Sequence, residues 1–224
     1  MLFDFLRGQG SERLDRIEAK VQTMLQHDRR EFELAMSALF GDRTPADVND
    51  EIRTTDRKVN QLEREIRRDL LVHASVAGSI ETPAVLVYMS VVKDIERVGD
   101  YAKNLVDLAI DGANFAKISN AEEWRQLAAE ISNYITDAGD AFQARDNPRC
   151  RALLAQGDKL LHFFDARVSL LVKGNWADDQ PVPRALAHRY LKRIVAHLMN
   201  LLSAVVMPLD RLDYFDEDPE DRAR

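Results

Sequence analysis

Apolar residues recur at three- and four-residue steps along most of the chain, the spacing that lines one face of an α-helix. Between about Ser11 and Gly41 the line is Leu14, Ile17, Val21, Met24, Phe32, Ala35 and Leu39, interrupted once by Asp28. "GDRTPAD" ends this helix and starts the next: Gly41 suits a C-terminal cap, Thr44 an N-cap and Pro45 the first helical position. A second line runs from about Pro45 to Ala77 through Val48, Ile52, Val59, Leu62, Ile66 and Leu70. "AGSIETPA" breaks it, and Thr82-Pro83 repeats the start signal. The third line, about Pro83 to Phe115, carries Val91, Ile95, Val98, Ala102, Leu105 and Ala109.

The second half repeats the plan. Ser119 and Glu122 read as a capping box for a helix with Trp124, Leu127, Ile131, Ile135, Ala138 and Phe142 inward. Pro148 opens a fifth helix through Leu153, Leu160, Phe164, Val168 and Leu171. "KGNWADDQPVP" reads as a loop, and a sixth helix follows from about Arg184 to Met207. Asp56, Glu63 and Ile66 have the spacing of Asp158, Asp165 and Val168. Ile95, Arg97, Val98, Asn104 and Leu105 align with Leu191, Arg193, Ile194, Asn200 and Leu201. The predicted fold is therefore all-α: two tandem three-helix bundles, residues 1–115 and 116–212, with sequential helices antiparallel. An aperiodic acidic tail, 213–224, is expected to be disordered, and "MLFDFL" to be a short ordered lead-in.

Composition narrows the function. The chain has 224 residues, 46% apolar and 31% charged, with a net charge of −7. That balance argues against nucleic acid as a partner, since phosphate binding needs a basic surface. A lone cysteine, Cys150, forbids an intrachain disulfide and favours a cytoplasmic location. No stretch approaches the roughly 18 apolar residues of a membrane span, so any membrane contact is expected only through partners.

Candidate chemistry lies in "KDIERVGDYAKNLVDLA", where Glu96, Asp100, Asn104 and Asp107 form an acidic stripe beside the apolar one. Like charges one turn apart cost an isolated helix roughly 0.2–0.5 kcal/mol, so a cation must answer them. It can be local, with Arg97 reaching Asp100 and Lys103 reaching Asp107, which would leave an ordinary solvated face. It can also be a bound metal ion, because hard cations take several oxygen ligands. One helix cannot surround an ion, and Asp56 and Glu63, seven residues apart on the second helix, supply a second acidic stripe. His27 and Asp28 could face the same stripe or form a satisfied polar pair. Gly99 in mid-helix costs about 1 kcal/mol against Ala, which close approach of a neighbouring helix would explain.

"DIERVGDYAKNLVDLA" closely resembles the signature of PhoU-type phosphate-signalling regulators, and "ALFGD" and "DRKVNQLEREI" are similar to that family too. The resemblance implies the duplicated three-helix fold and no catalytic activity. It implies a cytoplasmic adaptor between a phosphate-transporter component and a sensor histidine kinase, and is compatible with a homodimer. It further implies a divalent or trivalent metal ion, with Fe, Zn, Mg and Mn all compatible, on Glu96-x-x-x-Asp100 with Asn104, Asp107, Asp56 and Glu63. Tyr101 stands where the family has His, and Asp107 where it has Glu. Lys192, Ala196 and Ser203 occupy the acidic places of the second half, so the second motif is predicted to be lost. A substitute there would be Asp158, His162 and Asp165 with His197, a set suited to a transition metal, against the plainer alternative of one His paired to one Asp. A helical metalloenzyme using the carboxylates, or a metal-free scaffold, are the competing functions.

Overall fold

The computed structural model describes residues 12–77, 82–174 and 179–212. Among these residues the chain forms six long helices: α1 (Glu12–Leu39), α2 (Pro45–Ala77), α3 (Thr82–Ile110), α4 (Ala121–Ala144), α5 (Asn147–Lys173) and α6 (Pro181–Val206). Single 3₁₀ turns follow α3 at Phe115–Lys117 and α6 at Leu209–Arg211, and no strand is present among the described residues. The "MLFDFL" stretch and the acidic tail lie outside the described residues.

Periodicity predicts the buried faces well. Every residue of the predicted α1, α3 and α4 lines is buried, from Ile17 and Phe32 to Trp124 and Ile131. The line of α5 is less complete, because Val168 and Leu171 are only half-buried near its end. Two boundaries differ from expectation. α3 stops at Ile110, not Phe115, because Gly112 takes φ +99° and lets Ala113 N–H return to the Leu108 carbonyl at 2.9 Å. The Ser119 capping box does not form. Asn120 is the N-cap residue of α4, and the Ser119 N–H donates to Asp179 Oδ2 at 2.9 Å. At α5 the cap is made as the sequence requires, with the Arg149 N–H donating to the Asp146 carboxylate at 3.0 Å.

In the first half α1, α2 and α3 all pack on one another; in the second, α5 packs chiefly on α6. The halves meet where α3 crosses α6 and α1 lies against α4. This seam is polar at its middle. Asp94 Oδ1 accepts from Asn200 Nδ2 at 3.0 Å and lies 2.9 Å from His197 Nδ1. Tyr101 stacks on His197 with ring centroids 5.8 Å apart, and Arg193 Nε donates to its hydroxyl at 3.3 Å. Replacing Asp94 by Ala removes the acceptor that His197 and Asn200 share, and is expected to cost about 1–3 kcal/mol in urea denaturation. No helix of the described residues is long and apolar enough to cross a membrane.

Candidate metal centre

The acids of α3 meet partners from two helices. Because α2 and α3 run antiparallel, Asp56 comes opposite Asp100 and Glu63 opposite Glu96. Each pair shares a lysine of α3. Lys103 Nζ lies 2.6 Å from Asp56 Oδ1 and 2.7 Å from Asp100 Oδ1. Lys93 Nζ lies 2.7 Å from Glu96 Oε2 and 4.0 Å from Glu63 Oε1. Arg67 also stands 3.0 Å from Glu63 Oε1, though not in hydrogen-bonding geometry. Arg97 reaches Asp100 at 3.6 Å, as i,i+3 spacing predicts.

Lys103 does not turn to Asp107 as expected. It turns inward, where two carboxylates in a half-buried cleft attract it more strongly than one exposed carboxylate in water. Burial works against this ammonium, yet Asp100 and Asp56 together hold its pKa above the ordinary lysine value.

α1 brings two further acids, and they are the deepest. Asp28 and Glu31 are both 0% exposed. None of their four carboxylate oxygens has a hydrogen-bond partner. A Cβ on Gly99 would stand 2.9 Å from Asp28 Oδ1 and 3.0 Å from Glu31 Oε2. The glycine in mid-α3 therefore makes room for carboxylates, and its helix penalty of about 1 kcal/mol is a consequence of their presence. Burial, with Glu31, Glu96, Asp56 and Asp100 adding repulsion, raises the Asp28 pKa well above the carboxylate range. Burial likewise pushes Glu31 up to about 8, with Asp56 and Asp100 adding to the rise and Lys103 opposing it. Without a cation, burial and the neighbouring carboxylates favour the protonated form of both acids.

The centre thus draws on three helices: Asp28 and Glu31 from α1, Asp56 and Glu63 from α2, Glu96 and Asp100 from α3. Among the described residues no three His, Cys, Asp or Glu side chains are arranged to hold an ion as they stand. The lysine ammonium groups occupy the space between the α2 and α3 carboxylates. Asn104 and Asp107 lie farther out, lining with Asn49 and Arg53 a cleft of about 410 Å³ that also reaches Asp100 and Lys103. Glu31 was not singled out by sequence; the available signal was Asp28, an acid at a core position of the α1 line.

The second half differs in kind. Ala196 and Ser203 are buried, and Ser203 donates to the Asn200 carbonyl at 2.7 Å. Lys192 pairs with Asp165 at 2.6 Å. The substitute set of Asp158, His162, Asp165 and His197 does not assemble. His162 Nδ1 lies 2.7 Å from the Asp158 backbone carbonyl on the exposed side of α5, while His197 belongs to the α3–α6 seam. Asp165 is answered by Lys192 and Arg189 and His197 by Asp94, so neither the metal set nor a pairing of His162 with an Asp side chain forms. Tyr101 serves the seam too, since it stacks there on His197.

Fold and site together define a tandem-repeat helical bundle protein with a carboxylate-rich centre in its first repeat. Residues 21–109 match the PhoU domain family. A protein of Synechocystis described as a phosphate-specific transport system accessory protein PhoU homolog is 30% identical over 199 residues, spanning 86% of this chain and 87% of that protein. One of the same description from Deinococcus radiodurans is 27% identical over 172 residues, 71% of this chain and 78% of that protein. The crystal structure of PhoU from Pseudomonas aeruginosa has the same fold, with a TM-score of 0.76 at 20% identity over 86% of this chain and 95% of that one. The chain belongs to the PhoU family.

Proposed function

We propose that this protein is a non-catalytic, cytoplasmic accessory regulator of phosphate uptake and phosphate-responsive signalling, and that a divalent or trivalent metal ion at the acidic centre of its first bundle is part of how it works. The regulatory role is carried by family membership and by relatives described as accessory proteins of phosphate-specific transport. Its partners would be a transporter component, a sensor histidine kinase, or both.

One observation carries the metal: two fully buried carboxylates whose oxygens lack partners, facing further carboxylates from α2 and α3. A buried acid of this kind is costly unless paired or metal-bound. The donor set is oxygen only, which suits Mg, Mn or Fe better than the Cys- and His-seeking ions. Asp28, Glu31, Asp56, Glu96 and Asp100 would hold the ion, with Lys103 displaced and Glu63 supporting from α2. The ion would supply positive charge that lets all these acids ionise, fixing α1, α2 and α3 relative to one another.

Lys103 gives the test. Its ammonium competes for the position between Asp56 and Asp100, so Lys103→Gln is expected to raise affinity for Mn²⁺ about tenfold or more in calorimetric titration, some 1.4 kcal/mol. The double variant Glu96→Ala/Asp100→Ala should bind none. A wild type that takes up no metal at any pH, with Lys103→Gln equally inert, would leave the centre a protonated structural cluster. Metal-dependent hydrolysis by the loaded protein would instead make it an enzyme. Affinity capture from cells grown at high and low phosphate tests the regulatory role separately.

A further inference from the structure

The second bundle contains a cavity of about 190 Å³ where α4, α5 and α6 come together, away from the acidic centre. Its walls are aromatic and cationic: Trp124 from α4, Phe163 and Arg167 from α5, Arg184 and His188 from α6. Trp124 and His188 lie ring against ring, centroids 4.4 Å apart, with Phe163 edge-on to the same imidazole at 6.1 Å. His188 is 4% exposed, and its Nδ1 is buried without a hydrogen-bond partner.

Among the described residues no carboxylate pairs with Arg167 or Arg184. Arg184 Nη1 donates to the Asp179 carbonyl at 3.3 Å, while its Nε is buried with no partner. The Arg167 guanidinium sits over the Phe163 ring, 5.0 Å from its centroid. The one carboxylate in the lining, Glu123, is engaged by Asn120 Nδ2 at 3.2 Å. Burial first, then the two guanidinium groups, drives the His188 pKa down to about 3.

The internal repeat shows that the fold does not require this. By the α3–α6 register of the repeat, Arg184 and His188 correspond to Tyr88 and Val92. In the first bundle those two are 1% and 0% exposed and fill the core. The second bundle has an arginine and a histidine at these positions and retains a cavity beside them. A guanidinium N–H and an imidazole nitrogen buried without partners, Arg184 Nε and His188 Nδ1, are destabilising unless something enters to complete their hydrogen bonds.

We propose that this cavity is a binding site for a compact oxyanion, a carboxylate or a phosphate, clamped by Arg167 and Arg184 against the Trp124–His188 wall. Guanidinium groups recognise both anions through paired N–H donors. The aromatic wall adds a stacking surface for an anion that carries a ring. The cavity has room for inorganic phosphate or a single-ring carboxylate.

The test uses the full chain with Trp176 replaced by Phe, so that Trp124 is its sole tryptophan. Inorganic phosphate and benzoate are titrated separately at constant ionic strength set with chloride, following Trp124 fluorescence and thermal unfolding. Saturable responses in the millimolar range or below are expected, at least tenfold weaker in Arg167→Gln/Arg184→Gln. They should be unchanged in Arg189→Gln, which removes a positive charge from α6 outside the cavity. Response to phosphate alone identifies the inorganic ion, and stronger response to benzoate identifies an aromatic carboxylate. Circular dichroism of the double variant confirms folding. No saturable response to either anion, or equal weakening in Arg189→Gln, overturns the proposal. Neither outcome bears on the acidic centre, because the two sites share no residue.

Discussion

Metal-free protein carrying Asp28→Asn and Glu31→Gln is expected to gain stability relative to the wild type as pH rises from 5 to 8. The sign follows from the direction of the shifts. Glu31 holds its proton to about pH 8 in the folded chain, whereas in the unfolded chain it releases it near 4.3. Between those values the folded state binds more protons, so stability falls as pH rises. Below the unfolded value both states are protonated and nothing is lost. The loss attributable to Glu31 alone approaches about 5 kcal/mol at pH 8, at about 1.36 kcal/mol per unit. Asp28, raised by the same burial and the same neighbours, adds in the same direction. Urea denaturation in chelator at pH 5, 6.5 and 8 measures this directly. Curves for variant and wild type that stay parallel across the range would mean that these carboxylates are ionised and hydrated, and the metal reading would lose its support.

A second large effect is expected at Gly157 on α5. A Cβ there would meet Met199 Sδ at 2.5 Å, Met199 Cγ at 2.7 Å and the Tyr134 hydroxyl at 2.7 Å. Methionine can yield. Tyr134 is less free, because its hydroxyl donates to the Leu153 carbonyl at 2.9 Å inside the core. Helix propensity alone favours Ala over Gly by about 1 kcal/mol, so any net loss on Gly157→Ala measures the clash. Gly157→Val is expected to cost about 3 kcal/mol, at the upper end of overpacking effects. Thermal unfolding of both variants gives the comparison, and a stabilised Gly157→Val protein would show that α5 and α6 do not pack as described.

Much of the architecture was legible because helical burial is periodic. Val21, Ile52, Ile95 and Ile131 each sit on a line readable from the chain, and each is buried to within 1% of exposure. Proline at the start of α2 was equally plain. What could not be read were choices made between helices. Lys103 has Asp107 one turn away, and only the position of α2 shows that Asp56 draws it instead. Ser119 has the residue type and spacing of a cap, but its backbone is held by Asp179, 60 residues along the chain. The depth of the acidic centre was hidden for a related reason. Asp28 looked like a break in an apolar line, whereas it occupies the line itself, and Glu31 shows its meaning only when Gly99 is seen opposite. The four acids on α2 and α3 were recoverable because carboxylate repeats at one-turn and two-turn spacings mark a helix face.

The position of α3 has a mechanical consequence. It is a continuous rod of 29 residues, tied to α2 through Lys103 and Asp56 and to α6 through Asp94 with His197 and Asn200. Asp94 and Lys103 stand about two and a half helical turns apart, and no break in the helix lies between them. A push of an ångström on one flank therefore arrives on the other as a displacement of the whole rod.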